Sequence, residues 1–367
     1  MGSTAPDRAC VSNSLLWLLL AAELVAFVIV APRLWRSARG APMLAPKLDQ
    51  GPTISVIVPA RNEATRIGEC LAPLRDAPGV VEVIVVDDES TDATATIARE
   101  CGATVLSGQA LPAGWVGKIW ALQQGITAAK GDVIVTLDAD ARPAAELPSA
   151  AAAQLLVSGA VLATVAPRFR TTSHAARWLH AAMLTSLVYR HGAGAGRATK
   201  DAVANGQCMV FRRSDAVHGD WCTNVRGEII EDVALVRWLL RNDNDVRMFD
   251  GTRLLVVQMY EGFADTFRGW GRSLALTGVD RTARQWLDVL TTALTLAAPL
   301  WLLLAGIATP ITALLVLMRL GTLIGTARTY ERRGFGYWLS PLADLLVWFV
   351  VVRGVVSPSR EWRGRQY

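Results

Sequence analysis

The sequence is short of charged residues and of cysteine, and each shortage narrows what the chain can be. Asp, Glu, Lys and Arg make up only 19% of its 367 residues, whereas soluble domains usually carry about 25% charge. The five cysteines are odd in number, and no two of them stand in CxxC spacing. Neither a disulfide framework nor a zinc site is therefore indicated, and a reducing compartment is expected for the main domain.

A basic patch suited to nucleic acid is also missing, although the net charge is +5. The soluble part has no basic helix and no patch of basic residues interleaved with aromatics. The basic residues stand beside the apolar runs instead: Arg33, Arg36, Arg39, Lys47, Arg328, Arg332, Arg333, Arg360, Arg363 and Arg365. This pattern is typical of loops at an anionic cytoplasmic leaflet, so membrane lipids, and not nucleic acid, are the expected partners.

The apolar residues are concentrated at the two ends of the chain. The first run, Ala9–Pro32, is long enough to cross a bilayer as a helix, and its single charge is Glu23. We interpret residues 1–32 as a retained anchor and not a cleaved signal peptide, because a basic flank follows the run and none precedes it. Glu23 is expected to face another helix, since an unpartnered carboxylate is costly within the membrane.

The C-terminal apolar region predicts a helical hairpin over residues 289–327. Its uncharged run from Val289 to Met318 is too long for one span and contains a proline near its middle. Within residues 328–367, a third apolar stretch, 337–352, is short and contains Pro341 and Asp344. We expect it to be re-entrant or interfacial and not to cross fully. The positive-inside rule then predicts a multi-pass plasma-membrane protein whose main domain and basic tail face the cytosol.

Residues 53–288 form the predicted main domain, joined to the anchor by a Pro- and Gly-rich linker over residues 33–52. Short apolar strands alternate there with helical patterns, which predicts an α/β fold with βαβ units on a parallel sheet. The strands are predicted at Ile54–Pro59, Val81–Asp87, Thr104–Leu106 and Val133–Asp138, and the helices at Thr65–Leu74, Asp92–Cys101 and Ile119–Lys130.

Carboxylates follow two of these strands directly. Asp138 and Asp140 come where the strand Val133–Leu137 breaks into a loop, and acids at i and i+2 there can turn toward one Mg²⁺ or Mn²⁺ ion at a leaving diphosphate. Asp87 and Asp88 end an earlier strand, where they can accept hydrogen bonds from a base or ribose. Two solvated acids in a turn are the alternative for the first pair. Helix capping explains the residues that follow the second pair, but not the pair itself.

Two further segments combine charge with the start of a helix. Lys118 follows Gly117, which offers a backbone that can approach an anion and a point charge for phosphate. The GxxxxGK[ST] pattern is absent, and a plain surface lysine is the alternative. Glu231 and Asp232 open the helical pattern Val233–Leu240. The helix dipole favours acids there in any case, but this pair could also supply a general base for an acceptor hydroxyl.

Together these segments resemble the family 2 glycosyltransferases, which have the GT-A fold, over roughly residues 53–241. The strand ending in Pro-Ala-Arg-Asn-Glu, the Val-Asp-Asp segment, the Asp-x-Asp and the Glu-Asp pair occur in the family's order. The Gly-Trp-Val-Gly-Lys segment and the Glu-Trp-Arg-Gly-Arg-Gln-Tyr ending are similar to a membrane-bound branch. That branch is linked to carotenoid and hopanoid (squalene-derived) lipid biosynthesis.

The resemblance implies inverting transfer of a sugar from a nucleotide-diphosphate sugar to a lipid or membrane-embedded acceptor hydroxyl. It assigns residues 53–140 to the donor half of the domain and residues 141–288 to the acceptor half. It implies nucleotide contacts for Pro59, Arg61, Glu63, Asp87, Asp88 and Lys118, contact with Mg²⁺ or Mn²⁺ or with the diphosphate for Asp138 and Asp140, and the base role for Asp232, beside Glu231.

One departure from the family concerns polymer synthesis. Processive polysaccharide synthases carry Gln/Arg-x-x-Arg-Trp, whereas Arg284 and Trp286 here have an extra residue between them, so transfer of a single sugar is expected. A polyprenyl-phosphate or glycolipid glycosyltransferase of cell-envelope glycan synthesis remains an alternative. Two other classes are a nucleotidyltransferase, whose early glycine-rich loop is absent at residues 60–63, and a non-enzymatic membrane scaffold, although the acids that a catalyst needs are present.

Overall fold

The computed structural model describes residues 7–45, 51–194, 196–274, 276–358, 361–362 and 365–366. Of the basic residues used to predict topology, Lys47, Arg360 and Arg363 lie outside the described residues. The strands are β1 (Ile54–Ala60), β2 (Val80–Asp87), β3 (Thr104–Ser107), β4 (Val133–Leu137), β5 (Ala141–Pro143), β6 (Leu162–Ala166), β7 (Arg168–Phe169), β8 (Cys208–Arg212), β9 (Val246–Asp250), β10 (Leu255–Val257), β11 (Glu361–Trp362) and β12 (Arg365–Gln366).

Helices cover the sheet and make up most of the two ends of the chain. They are α1 (Asp7–Ala38), α2 (Ile67–Leu71), α3 (Thr94–Glu100), α4 (Gly117–Ala128), α5 (Leu147–Ser158), α6 (His174–His191), α7 (Arg213–His218), α8 (Trp221–Asn224), α9 (Glu231–Arg241), α10 (Gly262–Ser273), α11 (Thr282–Thr292), α12 (Pro299–Leu304), α13 (Pro310–Thr326), α14 (Gly334–Trp338) and α15 (Asp344–Val356). A π-helical segment, Ala293–Ala297, joins α11 to α12, and short 3₁₀ turns lie at Ala72–Leu74, Ala327–Thr329 and Ser340–Ala343.

The central sheet has the strand order β3-β2-β1-β4-β8-β6-β9. β1 pairs in parallel with both β2 and β4, and β2 pairs in parallel with β3, so the predicted α/β fold is confirmed. The chain moves outward from β1 to β3 and then returns to β4, which makes β1 and β4 the point where the strand order reverses. Ligands of open α/β sheets bind at the carboxyl ends of strands at such a point.

Helices on both faces of the sheet explain why β1 is buried at each of its residues. On one face, α4 packs so closely that a Cβ added at Gly125 would lie 2.5 Å from the Ile57 side chain. Only glycine allows this approach. The close packing fixes the first turn of α4, and with it Lys118, at the carboxyl edge of the sheet.

A small second sheet, in the order β5-β10-β7, supports the loop that follows β4. β5 runs antiparallel to β10 directly after Asp140. The amide of Ala141 donates to the carbonyl of Asp138 at 2.9 Å. The loop between β4 and β5 is therefore held as a tight turn, and its two acids stand at the edge of the main sheet.

Three helices are long and apolar enough to cross a membrane: Asn13–Ala38, Thr282–Leu304 and Pro310–Thr329. The first continues beyond Pro32, where the predicted anchor ended, so the first residues of the predicted linker are helical and not irregular. Packing on α6 explains this difference, because Arg33 donates to the carbonyl of Tyr189 at 3.2 Å.

Glu23 faces another helix, as predicted, and is fully buried. The hydroxyl of Thr309 donates to its carboxylate at 2.6 Å, and that of Thr312 donates at 2.7 Å. Both threonines belong to the cap of α13. The carboxylate is therefore hydrogen-bonded to the helix beside it and is kept away from lipid.

The region predicted as a hairpin contains α11–α12 and α13, with a turn just before Pro310. Its first helix begins at Thr282, ahead of the predicted start at Val289. The difference has a physical reason: Asp288 is buried against Arg33 and Arg284. A search for uncharged runs cannot recognise helical turns whose charges are paired inside the protein.

The third apolar segment forms α14, a 3₁₀ turn and α15. Asp344 is not exposed to lipid, because Arg319 of α13 donates two hydrogen bonds to it, at 2.7 and 3.1 Å. α15 is not among the three helices that are long enough to span. That this segment does not cross the membrane, and that the tail faces the cytosol, stay predictions.

Candidate active site

Three of the predicted site segments lie at one edge of the sheet because β1, β2 and β4 run in parallel. β1 ends at Ala60, β2 at Asp87 and β4 at Leu137. In register, Ala60 pairs with Asp87, and the amide of Asp88 donates to the carbonyl of Ala60 at 2.9 Å. The two predicted nucleotide-binding segments therefore form one continuous surface.

Arg61 connects the ends of β1 and β2. Its guanidinium donates to the carbonyl of Asp88 at 2.7 Å and lies 3.7 Å from the Asp88 carboxylate. Next to it, Asn62 adopts a left-handed φ of 53°, and its side-chain oxygen accepts a hydrogen bond from the amide of Thr91 at 2.8 Å. These contacts hold two loops together in a shape that leaves their outer face to a ligand.

Three further predicted nucleotide contacts stand in different environments. A carboxylate oxygen of Asp87 is buried without a hydrogen-bond partner among the described residues, which suits an acceptor for a ligand donor. Glu63 is buried and lies 3.7 Å from Arg66. Pro59 is buried within β1, in register with Val86. Its position is explained by the strand alone.

Lys118 joins two of the predicted catalytic segments. Its ammonium lies 2.8 Å from a carboxylate oxygen of Asp138 and 2.8 Å from one of Glu231. Burial would lower the pKa of Lys118, but the charges of Asp138, Glu231 and Asp232 outweigh it and raise that pKa well above its usual value. The lysine is therefore a permanent cation between the end of β4 and the start of α9, and the alternative of a plain surface lysine does not hold.

The Asp-x-Asp segment fits a divalent cation. One carboxylate oxygen of Asp140 is buried without a hydrogen-bond partner among the described residues. Burial, then the negative charges of Asp138 and Glu63, raise the pKa of Asp140 to about 7. A buried acid with an unused oxygen beside a second acid is the donor set that Mg²⁺ and Mn²⁺ prefer.

Asp232 is held by backbone donors. The amide of Gly206 donates to one of its carboxylate oxygens at 2.8 Å, and its neighbour Val233 donates to the other at 2.8 Å. Burial, then the charge of Glu231, raise the pKa of Asp232 to about 7. A carboxylate with a fixed orientation and a pKa near neutrality can accept a proton from a hydroxyl as a new bond forms.

The acids of β4 and α9 face one cavity of about 340 Å³. Its walls include Asp138, Asp140, Glu231 and Asp232, the residues around Gly206, and the segment that leads into α10. The structure thus brings the predicted metal-binding and catalytic residues together. The residues predicted to contact the nucleotide, Lys118 apart, are not among those lining this cavity.

The sequence analysis missed several residues that line the cavity, among them Arg66, Gln207 and Asp265. One signal was available for Gln207, which stands directly before the buried strand β8. Because β8 runs antiparallel to β4, with Cys208 opposite Leu137, its start and not its end lies at the site. A residue before a strand carries no such signal in a parallel sheet, and Arg66 and Asp265 belong to no motif.

Comparison with known sequences gives a consistent result. Residues 55–219 match the family described as Glycosyl transferase family 2. A 4,4'-diaponeurosporenoate glycosyltransferase of Staphylococcus haemolyticus is 29% identical over 236 residues, which cover 61% of each chain. The alignment thus spans about three fifths of that relative's length. A protein of the same name from Staphylococcus aureus (strain USA300) is 44% identical over 88 residues, 24% of each chain.

A solved structure resembles almost the entire chain. A mannosyltransferase of Pyrobaculum calidifontis, solved with GDP-Man and Mn²⁺, superposes with a TM-score of 0.53 and 19% identity. The match covers 93% of this chain and 99% of that one. It confirms the expected GT-A architecture, including its extension beyond the sheet into the C-terminal helices.

Proposed function

We propose that the chain is a glycosyltransferase, because residues 55–219 match the family described as Glycosyl transferase family 2, and that it transfers one sugar from a nucleotide-diphosphate sugar to a hydroxyl of a membrane-embedded lipid. The observation that carries the proposal is the shared cavity, in which Asp138 and Asp140 face Asp232. A pair of acids that can bind a cation and an oriented base would then lie on either side of the transferred sugar.

The donor occupies the carboxyl edge of β1, β2 and β4. Asp87 and Asp88 accept hydrogen bonds from the nucleoside, and Arg61 keeps their loop in place. Asp138 and Asp140 would hold Mg²⁺ or Mn²⁺, and the ion would supply positive charge for the departing diphosphate. The neighbour solved with GDP-Man and Mn²⁺ is consistent with such a donor.

Transfer is a single displacement with inversion. The acceptor oxygen forms a bond to the anomeric carbon while the bond from that carbon to the diphosphate oxygen breaks. The hydroxyl proton passes to the carboxylate of Asp232, which the amides of Gly206 and Val233 hold in place. Lys118 keeps the segment of Asp232 attached to that of Asp138 through its contact with Glu231.

The proposed acceptor group is a hydroxyl and not a carboxylate. The staphylococcal relatives, in contrast, are named after a carboxylate, 4,4'-diaponeurosporenoate. A carboxylate is already ionised at neutral pH and needs no base. The Asp232 carboxylate, which two backbone amides hold in a fixed orientation, suits an acceptor that must lose a proton. The three candidate membrane helices favour an acceptor that resides in the bilayer.

The first test is metal dependence. Purified protein in detergent is supplied with sugar nucleotides and extracted membrane lipids, and labelled lipid product is measured. Asp138→Ala and Asp140→Ala should each lower transfer by about a hundredfold, the usual loss of one group that stabilises charge in the transition state. Full activity of both variants in the presence of chelator would refute the assignment of these acids to a metal.

The second test separates binding from transfer. Asp232→Asn should keep donor affinity and lose transfer, because it removes the base with little change in volume. Asp243→Asn, at an exposed position just after α9, is the matched control and should behave as the unmodified protein. Normal transfer by Asp232→Asn at saturating donor would mean that the acceptor needs no base, as a carboxylate does not.

A further inference from the structure

A second, larger cavity lies beside the acidic one. Its volume is about 820 Å³, within the range of ligand pockets. α1, α6 and α13 form its walls, and aliphatic and aromatic side chains dominate them, among them Phe27, Leu34, Leu187 and Leu317. It has the chemistry of a site for an apolar molecule and not for a nucleotide.

The two cavities are neighbours with a common wall. Five residues line both of them: Phe169, Leu184, Leu187, Val203 and Asn205. This wall also adjoins Gly206, whose amide holds the carboxylate of Asp232. A molecule that filled the apolar cavity would therefore have one end next to the base.

The apolar cavity also reaches the lipid-facing surface. Trp35 of α1 and Leu317 of α13 line it while 71% and 64% of their surface remains exposed. Both helices are among those able to cross a membrane. An opening between two helices that cross the membrane would face the bilayer, so a lipid could enter sideways without leaving the membrane.

The geometry points to the apolar chain of the acceptor lipid as the occupant of this cavity, with its polar end directed past Asn205 to Asp232. This inference rests on the proposed function and adds the route and the polarity of the acceptor. The acidic cavity contains Asp138, Asp140, Glu231, Asp232 and Asp265, against two cationic residues among its lining.

Two glycines offer a way to close the cavity without disturbing the protein. Gly321 and Gly325 of α13 both line it, and a Cβ added at either would meet nothing within 4 Å. Gly321→Phe and Gly325→Phe therefore place a ring in open space. Ile324→Phe is the matched control, since Ile324 is 69% exposed on the same helix and is not among the cavity-lining residues.

The experiment uses hexadecanol carrying a photoreactive diazirine on its chain, added to the full-length protein in lipid nanodiscs. Peptide mapping should find the label on α1 and α13 at cavity positions such as Leu34 and Leu317. Both glycine variants should lower that labelling by at least about tenfold, and Ile324→Phe should leave it unchanged. Binding of sugar nucleotide and the unfolding temperature of each variant serve as checks on folding.

Transfer to membrane lipid is measured on the same samples, which separates the two proposals. One outcome is that neither the unmodified protein nor any variant transfers sugar, while labelling falls in the two glycine variants and not in Ile324→Phe. In that case the proposed function fails and the apolar binding site is supported. Labelling that the two glycine variants do not reduce, or lipid transfer that they leave intact, would overturn the inference. A Gly-x-x-x-Gly pair can also join helices of two copies of a protein. If the glycine variants change the protein from dimer to monomer and leave the labelling unchanged, the inference is overturned as well.

Discussion

Lys118 is the side chain whose replacement should damage the site most. It lies 2.8 Å from the carboxylates of both Asp138 and Glu231, and only 17% of its side chain is exposed. Without it, these two acids and Asp232 would share a buried region with no cation between them. Lys118→Met should therefore lower both the stability of the fold and the rate of transfer.

The magnitude follows from the cost of leaving buried charge unpaired. Removing one partner of a buried ion pair typically costs about 3–5 kcal/mol. The lower end applies at Lys118, because acids in this site can take up protons once the cation is gone. For a domain of this size, a loss of about 3 kcal/mol lowers the unfolding temperature by roughly 6–12 °C. Protonation relieves the repulsion in acid, so the loss should be smaller at pH 5.5 than at pH 8.

Thermal unfolding of the purified protein in detergent, followed at both pH values, measures this effect. The matched control is Lys130→Met, at an exposed lysine just beyond the end of α4, where a change within about 0.5 kcal/mol is expected. Sugar transfer by Lys118→Met should fall by about a hundredfold. If Lys118→Met unfolds at the temperature of the unmodified protein at pH 8, the three acids do not depend on the lysine and the reasoning is wrong.

Three further outcomes can be checked on the same material. Asp140 and Asp232 have pKa values raised to about 7, so the folded state binds more protons than the unfolded chain between about pH 4 and pH 7. The unfolding temperature of metal-free protein should therefore fall as pH rises through 7, and Asp140→Asn should flatten that slope. An unchanged slope would contradict the raised pKa of Asp140. Gly206→Ala would bring a Cβ within 2.7 Å of the Asp232 carboxylate. Steady-state kinetics should therefore show a kcat at least about tenfold lower, with an unaltered KM for the donor. A normal kcat would argue against positioning of the base by the Gly206 amide. Arg319→Met should lower the free energy of unfolding by about 3–5 kcal/mol, because Asp344 is left buried and unpaired. Adding Asp344→Leu should restore most of that loss. A double variant no more stable than Arg319→Met would show that the unpaired Asp344 is not the cause.

Much of the fold could be predicted because parallel strands leave a clear signature. The run Ile84–Val86 is buried in the sheet, and the helical patterns between such runs require crossover connections. The acids at the ends of β2 and β4 could be predicted to be close together for the same reason. Parallel strands bring their carboxyl ends to one edge whatever the details of packing.

The parts that could not be predicted depend on backbone atoms and on paired charges. Gly206 acts through its amide, which no side-chain motif records. The first turns of α11 carry Arg284 and Asp288, whose partners come from distant parts of the chain. The apolar cavity has no sequence motif at all, because its walls come from α1, α6 and α13. Such features become visible only once the helices are assembled.

The contact between Glu23 and the cap of α13 has a consequence for how the chain is made. Thr309 and Thr312 follow Glu23 by 286 and 289 positions, so at about 5–20 residues per second the ribosome needs roughly 15–60 s to supply them. During that interval the first helix, one of the three able to cross a membrane, has an acid without its partners from the hairpin, and an acid at the centre of a membrane helix costs about 2.5–3.5 kcal/mol on insertion scales. Final docking of α1 is thus a late event in biogenesis. A nascent chain that stalls before the hairpin emerges would carry an orphan helix of the kind that membrane quality control can recognise.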